Sequence, residues 1–337
     1  MNTKPTLFFG ELLIRLGAPA QEVLMQSPRL DLHVGGAEAN VAVGLASLGH
    51  KTAMISAVPD NALGRGAVAA IRARNVDCQH VVTKPGRMGL YFLSPGASLR
   101  APEIVYDRLG SSFSLCQPDD FDWDALLSGA GRLHLSGISP ALGPVSAATT
   151  LAAARAAQRL GIPVSFDGNY RAMLWARWES NPKEILHALF GMADILFGNH
   201  RDISLVLGQT LSGEGPQRRR ATALAAFAAF PNLKLIASTA RHVENADCHR
   251  IAARIDTPND EIQTDEVQVP GIVDRIGAGD AFAAGVLHSV LRGESITSMA
   301  KNGLALTCLK HSLPGDVSLF SAADLAAFDA GNLDVRR

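Results

Sequence analysis

Short β-prone runs alternate with longer helix-forming segments along most of this chain, and that alternation restricts the fold more than any single motif. The runs at 7–9, 52–57, 132–135, 163–166, 194–197 and 234–237 are β-prone and too short for helices. Between them lie segments rich in good helix formers, at 37–48, 63–74, 145–160, 182–192, 217–230, 278–291 and 296–310. Gly49, Gly161 and Gly293 sit just past three of these ends, where a left-handed glycine terminates a helix. Strands that trade places with helices in this way form a mostly parallel sheet covered on both faces, so the expected fold class is α/β. With 337 residues and 47% hydrophobic content, the chain can bury one large core and carry an appendage.

Two regions break the alternation. In 11–34 and 85–112, extended stretches such as 89–93 and 104–106 follow one another without crossover helices. They are expected to form a small β-rich lid over a main domain made of 1–10, 35–84 and 113–337. A lid of this kind excludes water from a reacting site.

Composition removes several classes of function. A formal net charge of -1 lacks the electrostatic footprint of a nucleic-acid binder. Cys78, Cys116, Cys248 and Cys308 are spread without a Cys-x-x-Cys pair, so neither a zinc site nor a disulfide framework is indicated, and a reducing cytoplasm is expected. The apolar run near the N-terminus is too short for a secretory signal, and the alanine-rich stretches are too short or too interrupted to span a membrane. The histidines show no metal-ligand pairing. Gly64-Arg65-Gly66-Ala67-Val68-Ala69 formally fits a dinucleotide fingerprint, but the preceding strand ends early and Asp77 comes too soon for the ribose carboxylate. A plain helix start explains it.

Two glycine turns remain. Late in the chain, Asp274-Arg275-Ile276-Gly277-Ala278-Gly279-Asp280 runs directly into an alanine-rich helix. The first amides of a helix are unpaired and partly positive, and glycines let an anionic phosphate approach them closely. Asp280, beside them, is placed to take a proton from a hydroxyl. Early in the chain, Val34-Gly35-Gly36-Ala37-Glu38-Ala39-Asn40 is a second glycine turn entering a helix, where Asn40 offers both a donor and an acceptor to a sugar hydroxyl.

Together and in this order, the two turns resemble the signatures of the ribokinase-like, phosphofructokinase-B type carbohydrate kinases. Gly10-Glu11-Leu12-Leu13, Val105-Tyr106-Asp107-Arg108, Ser165-Phe166-Asp167-Gly168-Asn169-Tyr170-Arg171 and Leu309-Lys310-His311-Ser312-Leu313-Pro314-Gly315-Asp316 look most like the 2-keto-3-deoxygluconate kinases of that family. The resemblance implies a three-layer α/β/α domain with a β lid, ATP as donor, the C6 hydroxyl of 2-keto-3-deoxygluconate as acceptor, and Mg2+ with the triphosphate. Fructose is the nearest alternative substrate; a non-catalytic sugar-acid binding protein is the alternative from another class.

Residue by residue, the resemblance implies Asp280 as base and an anion hole at Gly277, Ala278 and Gly279. It implies a sugar site of Gly35, Gly36, Asn40, Tyr91, Tyr106, Arg108, Ile138, Asp167, Asn169 and Arg171. An acidic sugar calls for fixed guanidinium groups, which Arg108 and Arg171 supply. The nucleotide side is assigned to Asn199, Ser238, Thr239 and Arg241, together with Gly277 and Gly279, and an indirect metal role to Asn199 and Asp202. Two departures stand out: the family's Asn-x-x-Glu is Asn199-His200-Arg201-Asp202 here, and a polar run replaces a glycine-containing stretch after 237. A homo-oligomer formed through the lid is expected, with neither nucleic acid nor membrane as partner.

Overall fold

The computed structural model describes residues 4–209 and 215–331. The parts of the expected main domain at 1–3, 210–214 and 332–337 lie outside the described residues. In chain order the strands are β1 (Thr6–Phe9), β2 (Leu13–Gly17), β3 (Asp31–Gly35), β4 (Thr52–Val58), β5 (Asp77–Thr83), β6 (Gly89–Ser94), β7 (Glu103–Asp107), β8 (Arg132–Ser136), β9 (Val164–Asp167), β10 (Ile195–Phe197), β11 (Leu235–Asn245), β12 (Cys248–Asp256), β13 (Glu261–Gln263) and β14 (Val267–Pro270). The helices are α1 (Ala37–Ser47), α2 (Ala62–Arg72), α3 (Trp123–Leu127), α4 (Pro144–Arg159), α5 (Ala172–Trp175), α6 (Pro182–Phe190), α7 (His200–Leu207), α8 (Gly215–Ala229), α9 (Ala278–Arg292), α10 (Ile296–Lys310) and α11 (Ala322–Asp329).

The central sheet runs β5-β4-β1-β8-β9-β10-β11 with every pairing parallel, then continues antiparallel into β12, which pairs with both β13 and β14. Its parallel strands are apolar on both sides because helices cover both faces. Leu7 and Phe9 point into the core shared with α4 and α6, whereas Phe8 points into the core shared with α1, α9 and α10. From β1 the chain steps outward to β4 and β5, then returns to β8 and proceeds the other way. The crevice between the carboxyl ends of β1 and β8 is therefore a topological switch point, where ligands gather in open α/β sheets. Buried Glu38 of α1 closes its floor, accepting from the hydroxyls of Ser136 and Ser139 at 2.8 Å each. A Cβ on Gly10 would lie 2.0 Å from the Glu38 carboxylate, so only glycine fits there.

The stretches without crossover helices form a separate sheet in the order β3-β2-β6-β7. Leu13, Tyr91 and Leu93 on one face pack together with Tyr106 and with Ile276 of the main body. In register on the opposite face stand Leu16, Leu32, Phe92 and Val105. β3 extends one residue beyond the expected boundary, to Gly35, and passes straight into α1. The loop after β6 also touches the β11–β12 turn: Ala246 donates to the Ser98 carbonyl at 2.8 Å, and the Ser98 amide donates to Asp247 Oδ2 at 2.9 Å.

The polar run after 237 is the largest difference from the sequence expectation. It continues β11 as one arm of a hairpin that is exposed along 241–244, and its turn at 245–248 has no Asn-Gly or Asp-Gly signal. β5 and the short helices α3, α5, α7 and α11 also lie outside the expected elements. The Gly64–Gly66 segment is a helix start, with Asn61 Oδ1 capping the amides of Leu63 and Gly64 at 3.0 Å each.

Candidate active site

At the start of α9, Gly277 has φ +76°, and a Cβ there would lie 1.7 Å from the Asp316 carbonyl oxygen. Backbone conformation and close approach thus both demand glycine. Gly279 differs: nothing lies within 4 Å of the position its Cβ would take, so its missing side chain leaves open space above the helix amides. The Ala278 amide reaches only the Arg275 carbonyl, at 3.4 Å. One turn into the helix, Asp280 Oδ2 accepts from Asn40 Nδ2 at 2.7 Å, joining the two glycine turns in space. The buried Asn40 Oδ1 has no protein partner among the described residues, which leaves it available to a hydroxyl donor.

Asp280 borders a cavity of about 740 Å³ that lies between the two sheets. Of the expected sugar-side residues, Gly36, Asn40, Tyr91, Tyr106, Arg108, Ile138, Asp167, Asn169 and Arg171 line it; Gly35 does not. Gly35 is instead buried behind the wall, where a Cβ would lie 2.8 Å from Asp316 Oδ2. Asn199, Asp202, Ser238, Thr239 and Arg241 line the other side of the same cavity. An adjoining space of about 410 Å³ shares Asn199, Ser238, Thr239, Arg241, Ala278 and Gly279, and adds the apolar side chains of Ile203, Ala223, Ile236 and Ile251. Both compartments mix polar and apolar side chains, and Ala278 and Gly279 at the α9 N-terminus border both.

The charges oppose one another across this space. Burial, aided by Asp167 and Asp316 and opposed by Asn40 and Arg171, pushes the Asp280 carboxyl up to about 8. Burial together with Asp202 pushes Asp167 up to about 7. Arg171, Arg241 and Arg275 form no ion pair among the described residues, although all three line the cavity. Burial and then mutual repulsion, Arg241 by Arg275 and Arg275 by Arg171, hold the latter two below the usual guanidinium range. Uncompensated cations around helix-start amides form a site for a polyanion.

The sequence profile of the pfkB family carbohydrate kinases matches residues 5–319. The chain belongs to that family. It is 30% identical over 94% of both chains to a 2-dehydro-3-deoxygalactonokinase of Haloferax volcanii, and 28% identical to a 2-dehydro-3-deoxygluconokinase of Bacillus subtilis, covering 95% of this chain and 94% of the relative. Among solved structures, a 2-dehydro-3-deoxygluconokinase of Thermotoga maritima superposes with a TM-score of 0.92 at 32% identity, over 97% of this chain and 100% of that one. The protein is thus an ATP-dependent carbohydrate kinase with a ribokinase-like α/β fold.

In this kinase Arg108, expected as a fixed guanidinium for an acidic sugar, is itself paired with a carboxylate. It is buried, and its Nε donates to the equally buried Glu11 at 2.5 Å, because a guanidinium withdrawn from water needs a compensating charge. Its Nη1 has no protein partner among the described residues, so it can present a hydrogen-bond donor rather than a net charge to the cavity. The Tyr91 hydroxyl is likewise engaged, donating to Asp316 Oδ2 at 2.7 Å. Arg15 ties this carboxylate to the phosphate-side turn, reaching Asp316 at 3.0 Å and Asp274 at 2.7 Å.

Asn199 and Asp202 form a reciprocal cap on α7: the Asn199 amide donates to Asp202 Oδ2, and the Arg201 amide donates to Asn199 Oδ1, both at 2.8 Å. Sequence reasoning missed Glu11, Arg15, Glu38, Arg275 and Asp316 as parts of the site. Arg275 was legible from its position two residues before Gly277; the others depend on partners distant in sequence.

Proposed function

We propose that the kinase transfers the γ-phosphoryl group of ATP to the C6 hydroxyl of 2-keto-3-deoxygluconate, giving 2-keto-3-deoxy-6-phosphogluconate and ADP. One observation carries this reading: the Asp280 carboxylate borders the same cavity as Arg108 and Arg171 on one side and the α9 amides on the other. The relatives named for 2-dehydro-3-deoxy sugar acids support the choice of acceptor.

The sugar acid lies under the β2-β3-β6-β7 sheet, which acts as the lid. Arg171 and the free Arg108 donor bind its carboxylate, while Asn40 orients the hydroxyl end toward Asp280. Asp280 takes the hydroxyl proton as the oxygen attacks phosphorus, and the bond from the γ-phosphorus to the β,γ-bridging oxygen breaks with that oxygen leaving on ADP. The amides of Gly277, Ala278, Gly279 and Asp280 stabilise the charge that develops on the transferring group. Arg241 and Arg275 hold the triphosphate, and Ser238, Thr239 and Asn199 border its nucleoside portion. Asp202 raises the pKa of Asp167, and both line the cavity; two neighbouring carboxylates suit a Mg2+ held through water and phosphate oxygens. When bound, that ion neutralises phosphate charge. The exposed apolar lid residues Leu32 and Val105 support a homo-oligomer formed through this face.

ADP release from ATP-Mg2+ with 2-keto-3-deoxygluconate, its galactonate epimer and fructose tests the assignment. Faster release with the gluconate form supports it, and preference for the galactonate form shifts the acceptor to the epimer. Release with fructose alone overturns the acidic substrate. Saturable binding of the sugar acid without ADP release would identify a binding protein instead.

A further inference from the structure

Among the largest fully buried side chains of this protein is one cation, Lys310, at the last position of α10. Nothing in the reaction described above uses it. Its ammonium lies 3.0 Å from the Leu313 carbonyl oxygen and 3.4 Å from that of Asp274. These carbonyls belong to the two chain segments that shape the anion hole. The first segment is stitched to the second: the Val273 amide donates to the His311 carbonyl at 2.8 Å, and the Gly315 amide to Asp274 Oδ2 at 3.0 Å. Gly277 then packs directly on the Asp316 carbonyl, and Thr307, one turn before Lys310, donates to the Ala278 carbonyl at 2.7 Å. Burial lowers the lysine's pKa, whereas Asp274, Asp316 and Asp280 oppose that shift.

Carbonyl oxygens that converge from two loops repel one another unless a cation lies between them. We propose that Lys310 is a positioning residue for phosphoryl transfer: its ammonium acts as a built-in monovalent cation that draws the Asp274 and Leu313 carbonyls together and so fixes the Gly277–Asp280 amides in their phosphate-binding arrangement. The lysine touches neither substrate. Its effect falls on turnover, because the amides it positions bear charge that grows only in the transition state.

Two variants and a rescue test the proposal. It rests on the family's phosphoryl transfer and not on the sugar acid assigned above, so the assay uses whichever sugar the wild-type enzyme turns over. Lys310→Met fills the space without charge and is expected to lose about 100-fold in kcat. Sugar KM and ADP affinity, the latter by calorimetry, should change by less than about threefold in the same variant. Lys310→Ala leaves room for a guest cation. Ammonium chloride is expected to restore at least about tenfold of its kcat, as a cation at a preorganised carbonyl site would, whereas tetramethylammonium chloride restores none and the wild type responds to neither. Wild-type turnover in the Met variant overturns the proposal, as does a folded Ala variant that ammonium leaves unchanged. Loss of fold in both variants assigns the lysine to stability alone and also overturns it.

Discussion

At the scale of single residues, the site is a set of carboxylates kept apart from water and from one another by only a few donors. Asp280 is the extreme case. Its pKa of about 8 lies above the ordinary 3.8, so in the empty site it carries a proton at pH 7 and becomes a base as pH rises. Steady-state kcat/KM is therefore expected to climb about tenfold per pH unit below that value and level off above pH 8. A profile flat from pH 6 to 9 would remove Asp280 from the base role. Replacing Asp280 with Asn should reduce kcat by at least about 1,000-fold with sugar KM within about threefold, since the loss is confined to the transition state. The same shift has a stability consequence of definite sign. A carboxyl whose folded pKa is raised makes the fold less stable as pH rises from the unfolded value toward the folded one. Asp280→Asn should accordingly melt above wild type at pH 8, with the gap closing toward pH 4, as calorimetry at both pH values would show. Arg108 behaves in the opposite way. Removing it leaves Glu11 buried and unpaired, so Arg108→Met is expected to cost about 3–5 kcal/mol in urea unfolding, and adding Glu11→Gln should recover part of that loss.

At the scale of elements, the start of α9 shows how two glycines in one motif do different things. Gly277 is required by the backbone and by the Asp316 carbonyl, whereas Gly279 faces open space. Gly279→Ala should therefore fold at least as well as wild type, because alanine in a helix restricts the unfolded chain. Its new methyl group stands where phosphate must approach, so ATP KM is expected to rise at least about tenfold, a fall in affinity of roughly 1.4 kcal/mol. Unchanged ATP kinetics in a folded variant would place the triphosphate elsewhere. These elements were legible to different degrees. α1 and α9 announced themselves through glycine turns followed by helix formers, a purely local signal. The hairpin β11–β12 did not, because its outer half is polar and is stabilised by strand pairing rather than by burial of both faces. α7 escaped notice as a helix even though its capping residues, Asn199 and Asp202, were noticed as a motif.

At the scale of the whole molecule, the enzyme is a parallel sheet with its switch point closed by a second sheet. The closing sheet carries apolar residues on both faces; on the outer one Ile14, Leu16 and Val34 pack against the main core, whereas Leu32 is 54% and Val105 46% exposed. Pairing of two such faces is the expected use of that surface. Leu32→Asp is predicted to shift the particle to monomer in light scattering behind size exclusion, and a wild type that is already monomeric would refute the lid-mediated assembly. The contacts of Ser98 with Ala246 and Asp247 connect this sheet to the hairpin that carries Ser238, Thr239 and Arg241.

What the sequence determined by itself was whatever depends on neighbours along the chain: the alternation that requires a parallel sheet, the helices ended by Gly49, Gly161 and Gly293, and the two glycine turns that border the cavity. Periodicity and backbone freedom are local properties, readable wherever they occur. Only the tertiary structure decided that Arg108 is neutralised by Glu11, that Tyr91 serves Asp316, and that Asp167 lies close enough to the buried Asp280 to help raise its pKa. Those outcomes depend on which charges come to lie within a few ångströms after folding. Coulomb and desolvation energies vary steeply over that distance, and the order of residues in a chain does not record it.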